Sequence, residues 1–207
     1  SAAQGFEYEL YLPLYNNVKW LEVGVPEGHK LQFIPASQEK PIVLYGTSIA
    51  QGACASRPGM AFGNIIGRRL EHPVVNLGFS GNGQMEPEVF DLLAEIDAQL
   101  FILDNMPNNL ELRKAYRTLK EEGVQNLHFL SEEELGLTQD CSVEGWHPND
   151  LGMQVYADAY VPKIKEILNE TCEQRSVFKP LTQQRDSYNW KERHEQVLKL
   201  NKEKAPQ

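Results

Sequence analysis

Between Pro41 and Asn169, short unbroken apolar runs alternate with stretches whose apolar residues recur every three to four positions. Residues 42–45, Ile-Val-Leu-Tyr, have the length of a strand and no polar alternation, as expected for a strand buried on both faces. Phe62, Ile65, Ile66 and Leu70 then fall on one stripe of a helix. Residues 74–77 repeat the strand signal, Val89, Leu92, Leu93 and Ile96 the helical one, and residues 100–103 make a third strand. The pattern predicts a helix over 110–122, a fourth strand at 127–130 and a last helix over about 150–169. Such alternation specifies an α/β domain with a mainly parallel sheet.

The period ahead of Pro41 is different. Phe6, Tyr8, Leu10, Leu12 and Leu14 alternate along one face of an extended strand. Asn16-Asn17 suits a tight turn, because Asn tolerates positive φ. Residues 18–25 return as a second strand, closed by Pro26 and Gly28. An isolated hairpin is marginal in water, so this one reads as the terminal strands of a β-sandwich-like unit spanning 1–38. The α/β domain occupies 39–172. Residues 173–207 are polar and charged, with Pro180 near their start and a helical stretch around 190–201. They read as a linker or helical tail, with His194 on its surface.

A formal net charge of −9 argues against nucleic acid, whose binders carry basic surfaces. No apolar run approaches the roughly 20 residues of a membrane span. The three cysteines, Cys54, Cys141 and Cys172, are far apart and odd in number, so they form no complete disulfide framework. Five histidines without a His-x-x-x-His spacing give no support for a zinc site, and neither metal nor other cofactor is expected. Ser-Ala-Ala reads as a trimmed start.

Polar groups fall directly after the strands. Gly46-Thr47-Ser48 follows the first, Gly78 to Gly83 the second, and Asp104-Asn105-Met106-Pro107-Asn108 the third. In an open parallel sheet these carboxyl-end loops gather along one edge, where α/β proteins build their sites. A serine hydroxyl such as that of Ser48 needs a neighbouring base to become a nucleophile. His147 is a candidate, because Pro148 biases it away from helical conformation onto a loop. Glu144, three residues earlier, can fold back to hold the imidazole tautomer that presents its other nitrogen to Ser48. Asp140 is a second candidate for that role. An oxyanion needs donors, and the backbone N–H groups of Ser48 and Gly81 and the side-chain amide of Asn108 can supply them. Gly81 could equally be a turn glycine, and Asn108 an Asx-turn or helix cap.

Gly46-Thr47-Ser48-Ile49-Ala50-Gln51-Gly52 resembles the first motif of the SGNH (GDSL-like) hydrolases, with Thr47 where Asp is usual. Asn76 to Gly83 resembles the glycine motif, Met106-Pro107-Asn108 the asparagine motif, and Glu144-Gly145-Trp146-His147-Pro148-Asn149 the terminal Asp-x-x-His motif. The four lie in the family's order across 41–170. The resemblance implies a flavodoxin-like three-layer αβα fold, no cofactor, and ester hydrolysis through an acyl-enzyme. It implies Ser48, His147 and Glu144 as catalytic residues, with Ser48, Gly81 and Asn108 as the oxyanion hole. Arg57, Asn82 and Trp146 are the candidate substrate contacts, although Arg57 could as well be a structural ion-pair partner. Arg57-Pro58-Gly59-Met60-Ala61 further resembles a bacterial subgroup that carries a small β-sandwich ahead of the hydrolase. That subgroup points to the periplasm or cell surface and to a small acyl, above all acetyl, ester of a carbohydrate. Residues 190–202 resemble the lead-in to a second SGNH domain in tandem proteins, which would make this chain the first module of a longer one.

Two features depart from the family pattern. Glu144 replaces Asp and is longer by one methylene, which requires a shifted loop. Residues 109–146 hold only one helix and one strand, where the family normally fits another pair, so a segment omitted from the sequence is expected there. These departures also motivate a rival reading, a catalytically decayed module that binds a glycan or a protein. A lipase acting on long acyl chains would need an apolar groove that the sequence does not contain.

Overall fold

In the computed structural model, residues 8–105 and 109–175 are described. Two compact units divide the chain, Ser1–Glu166 and Ile167–Gln207. The sheet belongs to the first, and residues 167–175 of the second are helical.

Three parallel strands, β1 (Ile42–Gly46), β2 (Val74–Gly78) and β3 (Leu100–Asp104), pair in the order β2-β1-β3. Tyr45 is in register with Leu77 on one side and Leu103 on the other. The central strand is buried at every position, as its unbroken apolar run predicts. Helices α1 (Ser48–Gln51), α2 (Phe62–Leu70), α3 (Pro87–Leu93), α4 (Asn109–Glu121), α5 (Glu132–Leu135) and α6 (Asp150–Arg175) alternate with and follow the strands. The fold is thus α/β with helices on both faces of a parallel sheet, consistent with the flavodoxin-like expectation.

Alternation along β1 divides the core. Val43 and Tyr45 pack with Leu93 of α3, and Leu77, Met85, Val89 and Phe90 gather around them. Tyr45 meets Phe90 edge-on, with ring centroids 5.6 Å apart, an arrangement that adds about 1 kcal/mol to the area buried. On the other face Gly63 of α2 lies against Leu44. There Phe62 stacks on Tyr156 at 4.9 Å and on Tyr160 at 5.8 Å, locking α2 to α6.

Two expectations are corrected among the described residues. Residues 127–130 form no strand, because Phe129 packs back on Tyr116 of α4 (5.4 Å) beneath the Arg113 guanidinium. Residues 8–14 and 18–25 form no hairpin. They have no regular secondary structure, with Leu10, Trp20 and Val23 among the exposed apolar side chains. An edge needs a partner for its backbone, and two isolated strands supply too little. Residues 11–14 still touch the α/β domain. Gln51 Nε2 donates to the Leu14 carbonyl at 2.9 Å, and the Arg68 guanidinium lies 5.2 Å above the Tyr11 ring.

Candidate active site

Ser48 is the first residue of α1, directly beyond the central strand. The turn is closed by Gln51 N–H donating to Thr47 O at 3.1 Å and by Gly52 N–H donating to Ser48 O at 3.1 Å. Gly52 ends it in the left-handed region, φ +95°. Two further glycines let the loops converge here. A Cβ on Gly46 would collide with the Asp104 carbonyl oxygen, and one on Gly83 with the carbonyl oxygen of Gly46 itself. Phe79 N–H donates to that same Gly46 oxygen at 2.8 Å, so the loop after β2 is laid directly over the end of β1. Gly81 and Asn82 are exposed at its tip.

His147 and Glu144 come from the loop between the 3-10 turn Gln139–Cys141 and α6. A bridge between Ser142 and Pro148 and the bond from Val143 N–H to His147 O at 3.0 Å close this loop. The Ser142 hydroxyl accepts from Gly145 N–H at 3.1 Å, where φ is +91°. The Asn149 side chain ties the loop to both neighbours, donating to Asp140 O at 2.7 Å and accepting from Gly152 N–H at 3.0 Å.

The two halves meet. Ser48 Oγ lies 2.8 Å from His147 Nε2. Glu144 Oε1 is hydrogen-bonded to His147 Nδ1 and accepts the His147 backbone N–H at 3.2 Å. The longer side chain is therefore accommodated by folding back on the residue it orients. The bond from His147 is the main reason the Glu144 carboxyl is held below its usual range, which keeps it anionic beside the imidazole. Asp140, the other carboxylate considered, is engaged by Asn149 through its backbone carbonyl.

Trp146 is 73% exposed beside His147. Arg57, also exposed, donates to Ser56 Oγ at 3.0 Å and stands 3.7 Å from Asp150 Oδ2. Asn108 lies outside the described residues. Two residues that the sequence reading left without a role stand out. Gln51 donates to Leu14 O and accepts from Ser80 N–H at 2.8 Å, joining the N-terminal segment, α1 and the glycine loop. Asp150 accepts from Ser56 N–H at 2.8 Å and Ser56 Oγ at 2.5 Å, clamping the 54–57 loop to the start of α6. An Asp in the first turn of a predicted helix was the available signal for the second.

Asp104 Oδ2, Asn105 Nδ2 and Tyr156 OH are buried without a hydrogen-bond partner among the described residues. Asp104 Oδ2 ends β3 next to Gly46, and desolvation pushes this carboxyl up to about 7.

A model described as the GDSL-like Lipase/Acylhydrolase family matches residues 39–111 and 108–165, more than half of the chain. A second, described as the N-terminus of Esterase_SGNH_hydro-type, matches residues 1–31. A crystal structure described as a GDSL-like lipase from Bacteroides ovatus is 33% identical, with a TM-score of 0.59, over 63% of this chain and 54% of that one. The salicylyl-acyltransferase SsfX3 from a tetracycline biosynthetic pathway shares the fold at 14% identity and a TM-score of 0.52, over 64% and 56%. The chain thus spans about half the length of the solved structures it matches. No curated protein is similar enough to count as a match.

Proposed function

The chain belongs to the GDSL-like lipase/acylhydrolase family, and on that premise we propose that it is a serine esterase removing small acyl groups, acetyl above all, from a carbohydrate. The observation that carries the reading is the continuous contact from Ser48 Oγ through His147 to the Glu144 carboxylate.

In this mechanism His147 Nε2 takes the Ser48 proton as Oγ attacks the ester carbonyl carbon. Negative charge moves to the carbonyl oxygen, where the N–H groups of Ser48 and Gly81 and the Asn108 amide stabilise it. Collapse breaks the bond to the alcohol oxygen, which leaves with the proton from His147. Water, deprotonated by the same nitrogen, then attacks the acyl-enzyme and releases the acid and free Ser48. Glu144 holds the tautomer throughout and stabilises the imidazolium. A carbohydrate substrate is supported by the exposed Trp146, whose flat face suits a sugar ring, with Asn82 and Arg57 offering polar contacts at the rim. No helix among the described residues is long and apolar enough to cross a membrane. A second hydrolase module following this one in the full-length protein belongs to the same proposal.

Intact-mass analysis after treatment with a fluorophosphonate tests the reading. One adduct on the native chain, lost in Ser48→Ala, is expected, together with turnover of acetylated sugars reduced by about 10³-fold or more in the variant. No adduct on a folded sample would overturn it in favour of a glycan-binding module without chemistry.

A further inference from the structure

Cys54 follows α1 by three residues and is held in the left-handed region, φ +67°. Its backbone is fixed on both sides: Ala53 N–H donates to Ser48 O at 2.9 Å, and Ala55 N–H to Gly52 O at 3.1 Å. The exposed free thiol is thereby anchored in the turn that directly follows α1, tied to the backbone of Ser48. Across from it, the 142–148 loop presents Glu144 and His147. One ligand atom from each of Cys54, Glu144 and His147 lies within 4.8 Å of the other two. Distance along the chain hides this group, since no Cys or His spacing announces it.

We propose that Cys54, Glu144 and His147 form a binding site for one zinc ion or a comparably soft divalent cation, and that occupancy switches off the esterase described above. The switching half of the proposal rests on that esterase reading; the site itself does not. Thiolate, carboxylate and neutral imidazole are a donor set that zinc accepts, with bonds of about 2.0–2.3 Å. Tetrahedral geometry at those lengths puts donor atoms about 3.3–3.6 Å apart, so Cys54 Sγ closes by up to about an ångström, while the Glu144 carboxylate, already bonded to the His147 ring, eases slightly away from it. Rotation of the exposed Cys54 and Glu144 side chains can supply that movement. Two negative ligands neutralise the divalent charge, water takes the fourth position, and binding releases the thiol proton.

Inhibition follows from the use already made of both imidazole nitrogens. A cation on Nδ1 displaces Glu144 from the ring, and a cation on Nε2 occupies the lone pair that must accept the Ser48 proton. Either way the base is lost while the fold is untouched.

Calorimetric titration of the 207-residue chain with zinc, in a non-coordinating buffer under reducing conditions, tests the site. One equivalent is expected to bind, with affinity weakened at least tenfold in Cys54→Ser and in Cys54→Ala, both checked for native circular dichroism. Ser48→Ala should bind as the native chain does. Cobalt should produce a thiolate-to-metal charge-transfer band that both Cys54 variants lack. Acetyl-ester turnover should fall in proportion to zinc occupancy, recover with chelator, and resist the same zinc concentration in Cys54→Ser. Equal affinity in native and Cys54 variants, or no charge-transfer band, overturns the site. Cys54-dependent binding in a chain that turns over no ester leaves the site standing and removes the esterase reading instead.

Discussion

Glu144 solves at the level of one side chain the problem its extra methylene creates. Its carboxylate closes on both the backbone N–H and the ring of His147, so loop and imidazole are oriented together. In the proposed mechanism Glu144→Gln keeps the shape and removes the charge that stabilises the imidazolium. Its kcat should drop by about 10²–10⁴-fold with little change in KM, measured on an acetyl ester. Asp104 makes the opposite kind of prediction, about stability. Its folded value, about 7, lies above that of an unfolded aspartate. The native state therefore holds an extra proton between about pH 4 and 7. The associated stability is complete below pH 4 and is lost as pH rises through 7. Asp104→Asn removes that dependence, so its gain in urea stability should be about 2–3 kcal/mol larger at pH 8 than at pH 5. A constant difference between the two pH values would show that Asp104 is charged in the fold throughout.

Short elements at the edge of the sheet, more than the strands, decide how well the site is held. Gln51 is the one side chain on α1 that reaches both Leu14 O and Ser80 N–H. Gln51→Ala should cost about 1–2 kcal/mol in chemical denaturation and reduce kcat/KM by releasing the glycine loop. Gly83→Ala introduces a Cβ against the Gly46 backbone at φ +71°, and should cost about 2 kcal/mol or more. The strands at 42–46, 74–78 and 100–104 were legible because an unbroken apolar run has no other compact use. The run at 127–130 carries the same signal, but a strand is a relation to a neighbour, and Phe129 finds its neighbour on α4. Position relative to the strands made Ser48 readable, and Pro148 made His147 readable. The Gln51 and Asp150 contacts were not, because they join residues 29 to 94 positions apart. Cys54 escaped for the same reason.

At the scale of the molecule, the N-terminal segment acts as a strap across the α/β domain. It contributes the Leu14 carbonyl, the Tyr11 ring under Arg68, and the Leu14 side chain beside Gly52. Removing residues 1–38 should lower stability by about 2–3 kcal/mol, a Tm decrease of about 5–10 °C by calorimetry, because Arg68 loses the Tyr11 ring and Gln51 the Leu14 carbonyl together. An unchanged Tm would assign the segment wholly to a neighbouring unit.

Ser48, the proposed nucleophile, hangs from the central strand, whereas His147 and Glu144, its proposed base and acid, ride on a loop closed by one bridge and a few surface hydrogen bonds. Hydrogen exchange should separate these two parts. Amides of residues 42–46 should exchange only through global unfolding, and those of 142–147 through local openings that leave the sheet intact. The triad would then be disassembled and rebuilt many times within the lifetime of one folded molecule. Mild denaturant should silence catalysis well before the helical signal falls, and dilution should restore it at once, with no refolding step in between.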